Sequence, residues 1–161
     1  MRKCKMLDKY TPGRPLVVVF GSCTCPSFMA SLRDLDEVVR EFIDMADFVM
    51  VYIDEAHAED GWKFKENYKI PQHKTLQQRL VAAHIMQSQK PPAPVFVDTM
   101  ANTANIAYGA FPERLYIIHG GVITYEGGIG PMNYNVVDVH EWLMRYRVQN
   151  HRSRSSGRSS L

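Results

Sequence analysis

Two hydrophobic periods alternate along this chain, and the first change of period comes at Gly21. The segment Leu16 to Phe20 is a continuous run of apolar, mostly β-branched residues, which is typical of a strand buried on both faces of a sheet. After Gly21, apolar residues recur at steps of three and four, with charged residues between them. That period predicts an amphipathic helix. Its apolar stripe would consist of Phe28, Leu32, Leu35, Val39, Phe42 and Ala46.

The same two periods continue through the middle of the chain. The apolar run at residues 47–53 predicts a second buried strand, and a polar loop follows to about His73. The pattern at residues 94–99 predicts a third strand. Between the loop and that strand, Thr75 and Gln78 fit a capping box that opens a helix. The predicted buried face of this helix consists of Leu76, Leu80, Ala83 and Met86.

The last third of the chain predicts a short helix, a hairpin and a final helix. Gly120 and Gly121 separate two β-rich runs, which is typical of a hairpin. The final helix is predicted from about Asn135 to Tyr146, with a buried stripe formed by Val139, Trp142, Leu143 and Tyr146.

This order of elements predicts an α/β fold with a mixed sheet flanked by helices. Strands that alternate with helices indicate a parallel sheet, and the hairpin adds antiparallel strands at one side. The arrangement is thioredoxin-like, also found in peroxiredoxins, with an extra segment at about 56–93. In that fold a proline, commonly cis, precedes the hairpin and faces the thiol, and Pro112 stands in the matching place after Phe111.

Composition indicates one domain and argues against two function classes. A chain of 161 residues, 45% of them hydrophobic, suits one globular core. We assign it to residues 14–148, after a linker segment at 1–13 and before a Ser/Arg-rich tail at 149–161 that we expect to be disordered. Without the tail's three arginines the chain has 16 basic and 17 acidic residues, which does not favour nucleic-acid binding. The apolar runs are shorter than the ~20 residues of a membrane helix, so we expect this chain to be soluble.

Two of the three cysteines carry the candidate chemistry. Cys25 lies where the first strand meets the first helix, and Pro26 suits the first helical position. The positive end of the helix should stabilise a thiolate there. A bond to Cys23, two residues earlier, would be strained and easily reduced, which suits a transient catalytic bond. The alternatives are a buried, unreactive thiol or a zinc site, but Cys4 and scattered histidines supply no recognisable second ligand pair.

Several longer stretches resemble the iodothyronine deiodinases, selenoenzymes that remove iodine from thyroid hormones. The combination of "GSCTCP" with "YIDEAH" and "DGW" is specific to that family. Further similar stretches cover most of residues 14–146; they are "IPQHKTLQQRLVAA", "VDTMANTANIAYGAFPERLYII" and "YEGGIGPMNYN". The resemblance implies that position 25 is the selenocysteine site, which is a cysteine in this chain.

The resemblance implies thiol-dependent reductive deiodination of thyroxine and related hormones. Cys25 would attack iodine, Cys23 would displace iodide from it, and an external thiol or a thioredoxin-type reductant would regenerate both thiols. No metal or other cofactor is expected. "DTMAN" and "IPQH" lean towards the inner-ring enzyme, while "CPSFM" and "FPERLYII" lean towards the outer-ring type-one enzyme. We lean slightly to the inner ring.

The resemblance also implies roles for the side chains around the cysteines. His57 would contact the substrate and deliver a proton, and Glu55 would position or protonate His57. The guanidinium of Arg114 would hold the hormone's carboxylate, and His73 is a further substrate-binding candidate. A hydrogen-bonded proton path near the thiol would be formed by Tyr52, Ser22 and Thr24.

Two other functions fit the same residues. A peroxiredoxin-like thiol peroxidase would use Cys25 against a peroxide, and a hormone-binding module would bind without much turnover. For the full-length family we expect a homodimer attached to a membrane by an N-terminal anchor that this sequence does not include.

Overall fold

A five-stranded mixed sheet forms the centre of the computed structural model, which describes residues 5–156, with side chains up to residue 151. The strands are β1 (Leu16–Gly21), β2 (Asp47–Tyr52), β3 (Val95–Val97), β4 (Arg114–His119) and β5 (Val122–Glu126), and they lie in the order β3-β2-β1-β4-β5. The strand β1 pairs in parallel with β2 and antiparallel with β4. The predicted mixed sheet, with the hairpin strands at one side, is confirmed.

Helices cover both faces of this sheet. They are α1 (Pro26–Phe42), α2 (Leu76–Ser88), α3 (Thr103–Tyr108) and α4 (Val136–Ser156), preceded by a 3₁₀ turn at Met6–Lys9. Val17 and Val19 of β1 share one core with buried residues of α1, α2 and α4. On the opposite face, Leu16, Val18 and Phe20 pack with residues of α3 and of the N-terminal segment. The strand β1 is therefore buried on both faces, as its continuous apolar run predicted.

The helix α2 begins as predicted but buries a different face. The capping box is present, because the Thr75 hydroxyl accepts from the Gln78 N–H at 3.2 Å. The buried residues are Arg79, Ala82, Ala83 and Met86, whereas Leu76 is 46% exposed. Ala83 and Met86 of the predicted face are buried, but Leu76 is not, and Arg79 is buried because it finds polar partners inside the protein.

The two ends of the chain differ from simple flanking segments. The helix α4 continues to Ser156, past its predicted end at Tyr146 and into the segment that we expected to be disordered from residue 149. Residues 157–161 and the predicted linker's residues 1–4, which include Cys4, lie outside the described part of the chain. The rest of the predicted linker contacts the domain, since the Tyr10 hydroxyl accepts from the Gly120 N–H at 3.0 Å.

Among the described helices, none combines the length and the apolar character needed to cross a bilayer.

Two local features place the cysteines at the carboxyl end of β1. Cys25 is the N-cap of α1, and Pro26 opens the helix, as predicted. Gly21 permits a close approach between strand and helix, because the ring of Phe28 occupies the space that a Cβ at Gly21 would need. The Phe111–Pro112 peptide bond is cis, which confirms the predicted proline.

Candidate active site

A tight turn between β1 and α1 holds both cysteines. The Cys25 N–H donates to the Ser22 carbonyl at 3.2 Å, so Cys23 and Thr24 are the two central residues of the turn. Both thiols are free. Cys23 is fully buried and Cys25 is 2% exposed. The strand end and the helix start therefore fix the position of both sulfur atoms.

The Cys25 thiol lies beside a short chain of hydrogen bonds that ends at a buried carboxylate. Its Sγ is 3.3 Å from the Ser27 Oγ. The Ser27 hydroxyl donates to Oε1 of Glu113 at 2.5 Å. Glu113 is fully buried, and it directly follows the cis Pro112 on the way into β4.

Burial controls the ionisation of the Cys25 thiol. Desolvation raises the pKa of Cys25, and the neighbouring carboxylate of Glu113 adds to that rise. Hydrogen bonds with the Ser27 side chain and the Phe28 backbone lower the pKa but do not outweigh burial. The hydrogen bond at the helix N-terminus lowers the pKa of Cys25, as we expected. The net effect of the surroundings is to raise that pKa, so the predicted stabilisation of the thiolate was wrong.

Cys23 lies in different surroundings from Cys25. Its Sγ is 3.9 Å from the Ala82 carbonyl of α2, and its N–H donates to the Tyr52 hydroxyl at 3.3 Å. Burial raises the pKa of the Cys23 thiol to about 12, and the charge of Glu55 acts in the same direction. Cys23 is therefore protonated at neutral pH in this conformation.

Glu55 is the centre of a second buried network. One carboxylate oxygen accepts from the Thr24 hydroxyl at 2.6 Å and from the Thr24 N–H at 3.2 Å. The other accepts from the Tyr52 hydroxyl and lies 3.0 Å from His73 Nε2, without the alignment of a good hydrogen bond. Burial and the Glu55 charge raise the pKa of Tyr52. The Ser22 hydroxyl does not hydrogen-bond to Glu55. Its Oγ instead accepts from the Ala56 N–H at 3.2 Å.

His57 is connected to this network only through its backbone. Its N–H donates to the Thr24 Oγ1 at 3.1 Å, whereas the hydrogen bonds of Glu55 go to other residues. The predicted contact between Glu55 and the His57 ring is therefore not made. The ring Nδ1 lies 3.0 Å from the Trp62 carbonyl, and since a carbonyl only accepts, Nδ1 carries the proton in the neutral ring.

An apolar cleft of about 400 Å³ opens over the start of α1. It is lined by Pro26, Ser27, Ala56, His57, Trp62, Phe64, Phe111, Pro112 and Pro131. The His57 ring packs against Phe64 with 4.0 Å between centroids, and Trp62 is 77% exposed at the rim. The volume and the lining of the cleft suit a drug-sized aromatic ligand. Of the predicted site residues, His57 and Pro112 line this cleft.

His73 belongs to the buried network and does not line the cleft. It is 6% exposed, and its Nδ1 accepts from Arg79 Nε at 3.3 Å. The Arg79 side chain is 1% exposed and forms an ion pair with Asp54. It also donates to the Thr99 carbonyl at 2.6 Å and to the Asn102 Oδ1 at 2.8 Å. Arg79 thus holds His73 in the tautomer that carries its proton on Nε2, towards Glu55.

Arg114 is engaged within the protein at the start of β4. Its Nε donates to the Gly127 carbonyl at 2.7 Å, and Nη1 donates to the carbonyls of Tyr108 and Gly109. Its Nη2 donates to Glu126 at 2.5 Å. A bidentate grip on a substrate carboxylate would require the Arg114–Glu126 pair to open, and the predicted clamp role stays a prediction.

The segment at about 56–93 contributes directly to the site. Asn67 Nδ2 donates to the Thr24 carbonyl at 2.8 Å, and the Gln72 side chain accepts from the Glu55 N–H at 3.1 Å. Sequence reasoning missed these residues and also missed Arg79 and Glu113. For Glu113 a usable signal was its place beside Pro112, which was already expected to face the thiol. For Arg79 the apolar pattern gave no signal, because a pattern of apolar residues does not indicate a buried arginine.

Comparisons with solved structures support the thioredoxin-like fold. StoA from Bacillus subtilis has a TM-score of 0.53 at 17% identity, with 82% of this chain and 84% of that chain covered. A thioredoxin-like protein from Porphyromonas gingivalis has a TM-score of 0.58 at 14% identity, with 84% and 76% covered. At such identities the likeness establishes the fold alone, and it confirms the predicted fold class.

Comparisons of sequence identify the family. The family model described as iodothyronine deiodinase matches residues 1–147. Thyroxine 5-deiodinase of Gallus gallus is 44% identical over 149 residues, which cover 92% of this chain and 58% of that protein. The Bos taurus protein of the same name is 46% identical over 147 residues, which cover 91% and 49%. The chain thus spans about half the length of these relatives. Residues 1–147 include both cysteines and every residue that lines the cleft, and the chain belongs to the iodothyronine deiodinase family.

Proposed function

We propose that this chain carries the catalytic domain of a thiol-dependent enzyme that removes iodine from iodothyronines. The observation that carries this proposal is the Cys25 thiol at the N-cap of α1, beside an apolar cleft of about 400 Å³ lined by aromatic side chains. A hormone with two iodinated rings has the size and apolar character that such a cleft suits. Membership of the family and the names of the relatives support the same reaction.

The reaction proceeds in two stages at two sulfur atoms. Cys25 attacks iodine on the ring, which leaves a sulfenyl iodide on Cys25 and a hydrogen on the ring carbon. Cys23 then displaces iodide and forms a Cys23–Cys25 disulfide, which an external thiol or a thioredoxin-type protein reduces. Because Cys23 is buried and protonated, the second stage requires that its thiol first lose a proton. In this proposal the Tyr52–Glu55–His73 network takes up that proton, which the hydrogen bond between the Cys23 N–H and the Tyr52 hydroxyl supports.

The substrate ring is held in the cleft by His57 and its aromatic neighbours. The rings of His57, Trp62 and Phe64 pack together, and aromatic pairs add to the burial energy of a ring placed beside them. With its proton on Nδ1, a neutral His57 offers Nε2 as an acceptor for the hormone's phenol hydroxyl. The hydrogen-bonding role of His57 thus fits a neutral ring, whereas its predicted role as proton donor requires an imidazolium.

One assay separates this function from its two alternatives. The purified chain is incubated with a small thiol and either thyroxine or hydrogen peroxide, with Cys25→Ser as the matched control. We expect iodide release from thyroxine that Cys25→Ser lacks. Loss of peroxide without iodide release would indicate a thiol peroxidase, and saturable hormone binding without turnover would indicate a binding module. Either outcome would contradict the proposal.

The name of the relatives also supports the lean towards the inner ring. Both are thyroxine 5-deiodinases, which fits removal of an inner-ring iodine. Chromatography of the product tests this point, because the two tri-iodothyronine isomers separate. Predominance of the outer-ring product would contradict it. The homodimer and the membrane association that we expect for the full-length family remain predictions.

The role of Arg114 in binding the hormone's carboxylate can be tested through its partner. Loss of a charge-assisted hydrogen bond weakens binding by about 1.5–3 kcal/mol, so Arg114→Ala should raise the KM for thyroxine by about tenfold or more. Glu126→Gln should lower that KM, because it frees one side of the guanidinium. An analogue that lacks the carboxylate is the control for both variants. Equal changes for the hormone and the analogue would exclude Arg114 from the substrate site.

A further inference from the structure

Glu113 is a buried carboxylate that none of the steps above uses. Its Oε1 accepts from the Ser27 hydroxyl at 2.5 Å, while its Oε2 has no hydrogen-bond partner in the described part of the chain. The Ser27 hydroxyl lies 3.3 Å from the Cys25 Sγ and joins the carboxylate to the thiol, and the two groups interact electrostatically. A fully buried carboxylate with a free oxygen at the nucleophile is costly to fold, which indicates a functional role.

The loop before α4 closes tightly over this carboxylate. The Gly130 N–H donates to the Glu113 carbonyl at 3.1 Å, and a Cβ at Gly130 would overlap the Glu113 side chain. Tyr134, whose buried hydroxyl also has no hydrogen-bond partner in the described residues, interacts electrostatically with Glu113 and Cys25. Within residues 5–151 no arginine, lysine or histidine neutralises Glu113. The titratable groups that face it are therefore Cys25 and Tyr134.

We propose that Glu113 is a catalytic residue that accepts the proton of the Cys25 thiol as sulfur attacks iodine and returns that proton to the ring carbon. This proposal rests on the proposed deiodination. Glu113 serves the first stage at Cys25, whereas the network around Glu55 lies beside Cys23 and serves the second. Burial raises the pKa of the Glu113 carboxyl, which brings this base closer to the pH at which it acts and lets it release the proton again.

The step balances without another reactant. The S–H bond of Cys25 and the C–I bond of the ring break, and an S–I bond and a C–H bond form. Sulfur loses two electrons and the ring carbon gains them. The proton moves from sulfur to Glu113 and then to carbon, so that Glu113 is regenerated. His57 does not have to supply this proton, which agrees with the Nδ1–H that faces the Trp62 carbonyl.

The proposal is tested first without hormone, by the rate at which iodoacetamide alkylates Cys25 from about pH 4 to about pH 10. Mass spectrometry of the digested full chain follows Cys25 alone. We expect an acid-side inflection where Glu113 loses its proton and a second inflection where the thiol ionises. Glu113→Gln should lose the acid-side inflection and react at least about tenfold more slowly below the thiol's pKa. Its remaining inflection should move to lower pH, because no carboxylate charge opposes the thiolate.

Control variants separate a base from a merely structural carboxylate. Glu55→Gln, at the other glutamate that is buried among the described residues, should keep the acid-side inflection. Gly130→Ala displaces the Glu113 side chain without changing its chemistry and should weaken that inflection, which keeps the test decisive if Glu113→Gln does not fold. Persistence of the inflection in Glu113→Gln, or faster alkylation of that variant at every pH, would overturn the proposal.

A single-turnover assay with thyroxine completes the test. Glu113→Gln should slow the first release of iodide by about 10²-fold, while Glu55→Gln should act mainly on later turnovers. Unchanged single-turnover iodide release in Glu113→Gln would overturn the role in deiodination. Alkylation that depends on Glu113 in a chain that never releases iodide would instead contradict the proposed function and leave the base assignment standing.

Discussion

Replacing Cys25 with alanine is expected to abolish iodide release from thyroxine, whereas replacing Cys23 with alanine should leave the first turnover intact. Loss of an enzyme's nucleophile lowers the rate by at least about 10⁴-fold. Cys25 borders the cleft through its neighbours Pro26 and Ser27, while Cys23 points away towards α2. The two thiols therefore perform different steps, although only one residue separates them.

The later turnovers distinguish the two cysteines quantitatively. In Cys23→Ala a small thiol must attack the sulfenyl iodide directly, so the steady-state rate should depend more steeply on its concentration than in the starting protein. Mass spectrometry after one turnover without reductant should find a Cys23–Cys25 disulfide in the starting protein. Absence of the single-turnover burst in Cys23→Ala would place Cys23 in the attack on iodine and contradict this division.

Replacing Arg79 with methionine is expected to lower the free energy of unfolding by about 3–5 kcal/mol. Removal of one member of a buried ion pair leaves the other charge without its partner. Arg79 also donates hydrogen bonds to His73, to Asn102 and to the Thr99 carbonyl, which the variant loses. Its side chain is 1% exposed, and that of Asp54 is 18% exposed. Urea unfolding followed by circular dichroism measures the loss.

Two controls identify the cause of that loss. Arg33→Met removes an exposed arginine, 3.8 Å from Glu37 on α1, and should change stability by less than about 1 kcal/mol. In the double variant Arg79→Met/Asp54→Asn the unpaired charge is gone, so stability should partly recover. An effect of Arg79→Met no larger than that of Arg33→Met would show that the buried network adds little to stability.

Local patterns determined the order of the elements and the place of the cysteines. A helix or strand that buries one face shows its period over consecutive residues, so β1, α1 and the hairpin were predictable. A capping box and an N1 proline are also read within one turn, which is why Thr75 and Pro26 were placed correctly. The cis Pro112 followed from its place before the hairpin.

Only the tertiary structure decided which polar groups are buried and what they contact. Glu113 meets Ser27 across 86 positions of sequence, and Arg79 becomes a core residue because Asp54 and Asn102 arrive from other segments. The pKa of Cys25 depends on a competition between burial and local hydrogen bonds. The sequence predicted the helix N-terminus but not the depth of burial, because burial depends on every segment that packs against the thiol.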